Sequence, residues 1–138
     1  MYNMSYYNAV SRLEKNGYER IGSNVANLTL LMKKDEHPEH MHIVACLDNV
    51  RNSQITPEQL ENIGFQLERK FLLEQVARKV DILFIIFTDN LDRDKCYANG
   101  NIQFWLADEL GRQFVIFENQ PEDFYGIRAE LEDEYEKH

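Results

Sequence analysis

The sequence predicts an α/β (α+β) domain, a mixed sheet of about five strands flanked by helices. Three observations predict it. Val80 to Phe87 is apolar at nearly every position, with only Asp81 near its start, and such a run suits a strand covered on both faces. Between an earlier strand at 41–47 and that run stands Thr56-Pro57-Glu58-Gln59, a helix start with a hydroxyl cap, proline at the first position and glutamine three residues after the cap. Strand, capped helix and buried strand make a βαβ unit. The chain has 138 residues, 43% of them hydrophobic and 12% aromatic, which is room for one core over 1–138 that needs neither disulfide nor metal.

Each element follows from local pattern. Residues 5–16 predict a helix: Tyr6, Val10 and Leu13 form an apolar stripe, and Gly17 stands where a left-handed terminal residue is wanted. Residues 24–33 and 41–47 predict strands joined as an antiparallel hairpin, with a five- to seven-residue loop around Asp35-Glu36-His37-Pro38-Glu39. In the capped helix, Leu60, Ile63, Leu67 and Phe71 fall on one face, and its end is expected between Phe71 and Lys79. Leu91 to Ala98 predicts a short helix or turn closed by Asn99-Gly100. Residues 102–107 and 112–117 predict two strands around Asp108-Glu109-Leu110-Gly111. Pro121 opens a last helix, with Phe124, Ile127, Leu131 and Tyr135 spaced three, four and four.

Composition excludes several classes. Net charge is −9, which argues against nucleic acid as a partner, since a binder needs a basic face for phosphates. The longest apolar run, Ile82 to Phe87, falls far short of the roughly 18 residues of a membrane span, and no signal peptide is visible. Cys46 and Cys96, fifty positions apart, fit a reducing compartment. From Glu118 to His138, eight acids against Arg128 and Lys137 leave −6. That is a solvated outer helix face, or a surface that repels anionic lipid or docks a basic partner through Glu130, Glu132, Asp133 and Glu134.

Three predicted strands end in the same chemistry: Asp48-Asn49, Asp89-Asn90 and Glu118-Asn119. If the strands ending at 47, 87 and 117 run parallel, these acids share the carboxyl edge of the sheet, where open α/β sheets bind ligands. Carboxylates are hard donors suited to Mg²⁺, Mn²⁺ or Ca²⁺, whereas Asp and Asn are also favoured simply where a strand turns. Asp108 followed by Glu118-Asn119-Gln120 is similar to the metal-binding half of restriction-nuclease-like domains, with Gln120 in the place of the lysine that helps activate water. That argues against an active nuclease and leaves an inactive relative of that fold open. His37, Glu39, His40 and His42 cluster locally; His40 and His42, at period two, share one strand face, as metal ligands or as plain strand-end histidines. No Gly-x-Ser-x-Gly elbow or glycine-rich phosphate loop is present.

The most distinctive stretch is Ile102-Gln103-Phe104-Trp105-Leu106-Ala107-Asp108, then Gly111-Arg112-Gln113-Phe114-Val115-Ile116-Phe117-Glu118-Asn119-Gln120-Pro121-Glu122-Asp123-Phe124-Tyr125-Gly126-Ile127-Arg128. It resembles the soluble N-terminal domain that precedes the membrane part of some bacterial rhomboid intramembrane serine proteases, most specifically at 114–128. The resemblance implies a noncatalytic domain on the cytoplasmic side of the membrane, with apolar spans following soon after His138. Its partners would be the membrane protease domain of the same polypeptide and a membrane-protein substrate. The protease serine and histidine lie on spans that this sequence lacks, so no catalytic residue carries over. The resemblance implies substrate presentation or sensing of divalent cations, Mg²⁺ or Mn²⁺, for which the acids Asp48, Asp89, Glu118 and Asp108 are the candidate ligands. Two other readings stay open: a free-standing metal-dependent hydrolase using those acids, and a small adaptor that dimerises through Trp105 and Phe114.

Overall fold

A computed structural model of the chain describes residues 4–23, 25–35, 39–49, 55–89, 91–108, 114–116, 124, 127–128 and 131. In chain order these form α1 (Met4–Lys15), β1 (Glu19–Ile21), β2 (Leu28–Asp35), β3 (His40–Asp48), α2 (Pro57–Leu73), β4 (Lys79–Thr88), a single 3₁₀ turn (Arg93–Lys95), β5 (Ala98–Asn99), β6 (Ile102–Asp108) and β7 (Phe114–Val115). The apolar run lies at the centre of the sheet, where β4 pairs in parallel with β3 on one side and β6 on the other. The order is β1-β2-β3-β4-β6-β5, with β7 also on β6. The parallel centre and antiparallel margins make the mixed sheet of an α/β domain.

Local signals explain the elements around this centre. Thr56 caps α2 with its hydroxyl accepting from the Gln59 amide (3.2 Å), and the Gln59 side chain accepts from the Thr56 amide (2.8 Å). Helix α1 ends at Gly17, whose φ of 93° is a left-handed conformation that costs glycine little.

Residue parity divides the core into two layers. On one face Met41, Ile43 and Ala45 of β3, Ile82, Phe84 and Ile86 of β4, and Ile102, Phe104 and Leu106 of β6 pack under Leu60 and Phe71 of α2. On the other face Val44, Cys46, Leu83, Ile85, Phe87, Trp105 and Ala107 pack under Tyr6, Ala9, Val10 and Leu13 of α1. Phe124, Ile127 and Leu131 are buried in that second layer, and Ile127, Arg128 and Leu131 have helical backbone, as the last helix requires; Tyr135 lies outside the described residues. A sheet so covered explains why its central strands show no alternation.

Helix α2 sits unusually close to the sheet at Gly64. A Cβ there would stand 2.8 Å from Ile102 Cδ1 and 3.3 Å from Phe84 Cε2.

Three expectations need correction. The β2–β3 hairpin has a four-residue connection, 36–39, because β2 and β3 pair from Asp35 and His40 onward. Besides the five expected strands, β1 and β5 pair at the sheet margins; with two or three residues each, they are too short to leave a periodic signal. The strand expected at 112–117 is described at Phe114–Val115 and runs antiparallel to β6, so it is antiparallel to β3 and β4 as well. A strand reached through a tight hairpin must reverse direction, and the third parallel strand is β6 itself.

Candidate functional site

The in-register parallel strands β3, β4 and β6 end together, and their carboxyl edge carries Asp48, Thr88 and Asp108, all buried, with Asp89 exposed just beyond β4. Asp48 pairs in register with Phe87, and Asp108 with Thr88. Parity then separates the two acids. Asp48 follows Val44 and Cys46 onto the α1 face, while Asp108 follows Phe104 and Leu106 onto the α2 face. The structure therefore brings these acids to one edge without making them converge. Among the described residues, no group of three or more His, Cys, Asp or Glu is placed to hold a metal ion. Glu118 lies outside the described residues, as do Asn119 and Gln120.

A small pocket of about 70 Å³ opens at this edge on the α2 side, lined by Leu47, Asn49, Pro57, Ile86, Thr88 and Lys95 among others. Asn49 Oδ1 is buried with no hydrogen-bond partner among the described residues. The pocket sits where α2 begins, and its volume matches one or two waters or a small ion rather than an organic substrate.

At the opposite edge the histidine cluster takes a definite form. His40 Nε2 and Asp81 Oδ2 are hydrogen bonded, and both side chains are 6% exposed. Lys79 Nζ stands 3.7 Å from the same carboxylate oxygen. His40 and His42 share one strand face, their rings 4.0 Å apart, and His42 lies edge-on to Phe124 at 6.1 Å. A carboxylate in a doubly covered strand needs a partner, and His40 supplies it from the neighbouring strand. The lone Asp81 in an apolar run and His40 in the local histidine cluster were the available signals; that the two would pair across 41 residues was not among them. Glu39 turns outward at φ 63° and binds Arg78 at 3.2 Å. His37 lies outside the described residues.

Trp105, expected at a partner surface, is fully buried; its indole N–H donates to Gln103 Oε1 (3.1 Å), and its ring packs against Phe124. The reason is its place in β6, whose odd-numbered residues face the α1 layer. Dimerisation through Trp105 would require unfolding that layer. Glu130, Glu132, Asp133 and Glu134 lie outside the described residues, and of Phe114 only the backbone is described.

Burial pushes the Cys46 thiol up to about 12, which makes it an inert core residue. Cys96 is half-buried, and its Sγ contacts the Val115 carbonyl at 3.7 Å. A polar cluster unseen in the sequence ties α2 to the β5–β6 margin. Glu61 accepts from the Tyr97 hydroxyl (3.0 Å) and the Asn99 amide (3.2 Å), and Glu68 accepts from Asn101.

Among the described residues no helix is long and apolar enough to cross a membrane. No protein-family model matches the chain, and a search of curated proteins finds no match.

Proposed function

We propose that this chain is a noncatalytic regulatory or substrate-recruiting domain of a rhomboid-like intramembrane serine protease, held at the cytoplasmic face of the membrane. One observation carries the reading. Two distinctive aromatics of the rhomboid-like stretch, Trp105 of its strand and Phe124 of its later motif, pack against each other in one core layer. A motif whose aromatics build the core is a signature of the domain rather than of a surface patch. The role resting on this geometry is docking and recruitment. Cation sensing has weaker support, because Asp48 and Asp108 face opposite sides of the sheet.

The test uses the full-length protease with and without residues 1–138. The expected result is that deletion weakens cleavage of the native membrane substrate while leaving cleavage of a generic transmembrane reporter near its original rate. Equal rates on both substrates would contradict recruitment.

A further inference from the structure

Segment 69–79 reads Arg-Lys-Phe-Leu-Leu-Glu-Gln-Val-Ala-Arg-Lys, with four cations against Glu74, or +3 within a chain of −9. It spans the last turn of α2 and the start of β4. The sheet-facing side of α2 uses Leu60, Gly64 and Phe71. Left outside are Phe65 (42% exposed), Leu72 (37%) and Leu73 (70%), the large apolar residues on the helix that face solvent. Phe65 and Leu72 are seven residues apart, and Arg69 lies on the same stripe between them. Past the helix the chain turns at Gln75, with φ 58°, and the strand that follows starts beside the helix end. An open groove of about 420 Å³ there is lined by Glu39, Leu72, Gln75, Ala77 and Arg78, so leucine and arginine share one surface.

Helix termini attract cations for their own reasons, and Lys70 in the last turn of α2 is accounted for by the helix dipole. Arg78 and Lys79, beyond the helix, stand against Glu39 and Asp81, which leaves the exposed Arg69 and an adjacent leucine kept mostly in water without such an account. Exposed apolar side chains beside cations are the chemistry of a surface that inserts shallowly between anionic headgroups.

We propose that this end of α2 docks on an anionic lipid bilayer, with Leu72 and Leu73 entering the headgroup boundary and Arg69 and Lys70 meeting lipid phosphates. Arg78 and Lys79, paired with Glu39 and Asp81, sit at the rim. The chain's net negative charge does not oppose this geometry. Of the most acidic stretch, 118–138, the described Phe124, Ile127 and Leu131 are buried on the other face of the sheet. The proposal stands on this surface alone and holds whether or not a protease follows the domain.

The test is co-sedimentation of the 138-residue chain with phosphatidylcholine vesicles, with and without phosphatidylglycerol. The expected result is binding only to the anionic vesicles, reversed by high salt. Arg69→Glu should weaken it about tenfold or more, since a reversal removes one attraction and adds one repulsion. Leu73→Ser should also weaken it, and both variants should melt like the parent because both positions are exposed. Failure to bind anionic vesicles at low salt, equal binding to neutral vesicles, or full binding by both variants would overturn the proposal. So would ultracentrifugation showing a dimer that the same substitutions dissociate, which would make the surface an interface between copies. None of these results depends on proteolysis, so the proposal can fail while the protease reading survives, and the reverse.

Discussion

The rings of Trp105 and Phe124 meet edge to face, centroids 6.5 Å apart and planes at 76°, and both side chains are fully buried. The contact joins the third parallel strand to the C-terminal segment across nineteen positions. Phe124→Ala should therefore lower the unfolding free energy by about 3–5 kcal/mol, measured by urea denaturation, since it leaves a cavity under α1's layer. Phe124→Leu should cost much less. A loss for alanine as small as that of an exposed residue, roughly 0.5 kcal/mol or less, would show that the segment does not pack as described.

The His40–Asp81 pair is buried on both sides, so removing one partner strands the other in a low-dielectric layer. Asp81→Ala should cost about 3–5 kcal/mol, and His40→Ala a similar order. The double variant should lose less than the two singles combined, by a coupling of about 0.5–3 kcal/mol. Additive losses in equilibrium unfolding would mean that the two side chains do not act as a pair.

Gly64 sets how close α2 lies to β6. Alanine there gains about 1 kcal/mol of helix propensity but meets Ile102 Cδ1 at 2.8 Å, and overpacking typically costs about 1–3 kcal/mol. Ile102→Val deletes the methyl in question. In the Ile102→Val background, Gly64→Ala should be neutral to stabilising, and in the parent it should be less favourable. Identical effects in the two backgrounds would rule out the close contact.

Tyr97 contributes to the alkaline limb of the stability profile, beside the Cys46 thiol, which burial also pushes up to about 12. Its burial, then its hydrogen bond to Glu61 and the nearby negative charge, push the phenol up to about 12. The unfolded phenol titrates near 10. The folded state thus holds this proton more tightly, a contribution fully present below about pH 10 and lost as pH rises toward 12. Tyr97→Phe should flatten the decline in stability over that window, and absorbance titration of the folded parent should show a late tyrosine that the variant lacks. An unchanged titration curve would contradict the assignment.

What could be read in the sequence was what is local. The cap at Thr56, the stripe Leu60-Ile63-Leu67-Phe71 and the run Val80 to Phe87 each carry their signal within one element, and each appears as expected. Of the carboxyl edge, the ends of β3 and β4 at Asp48 and Asp89 were readable, because strand ends bear Asp and Asn; its third strand is β6, ending in Asp108, not the strand expected to end at 117. Whether Asp48 and Asp108 meet was not, since the face each acid takes depends on the register of β3 and β6 against β4. Trp105 failed for the same reason: an aromatic at a strand centre looks alike whether a helix covers it or a partner does. The His40–Asp81 and Glu61–Tyr97 contacts span 41 and 36 residues and leave no local trace.

The most direct test of the protease reading is the native reading frame beyond codon 138. The account predicts that it runs on into several apolar spans, one carrying a Gly-x-Ser-Gly serine and another a histidine. A frame that stops without any span would contradict it.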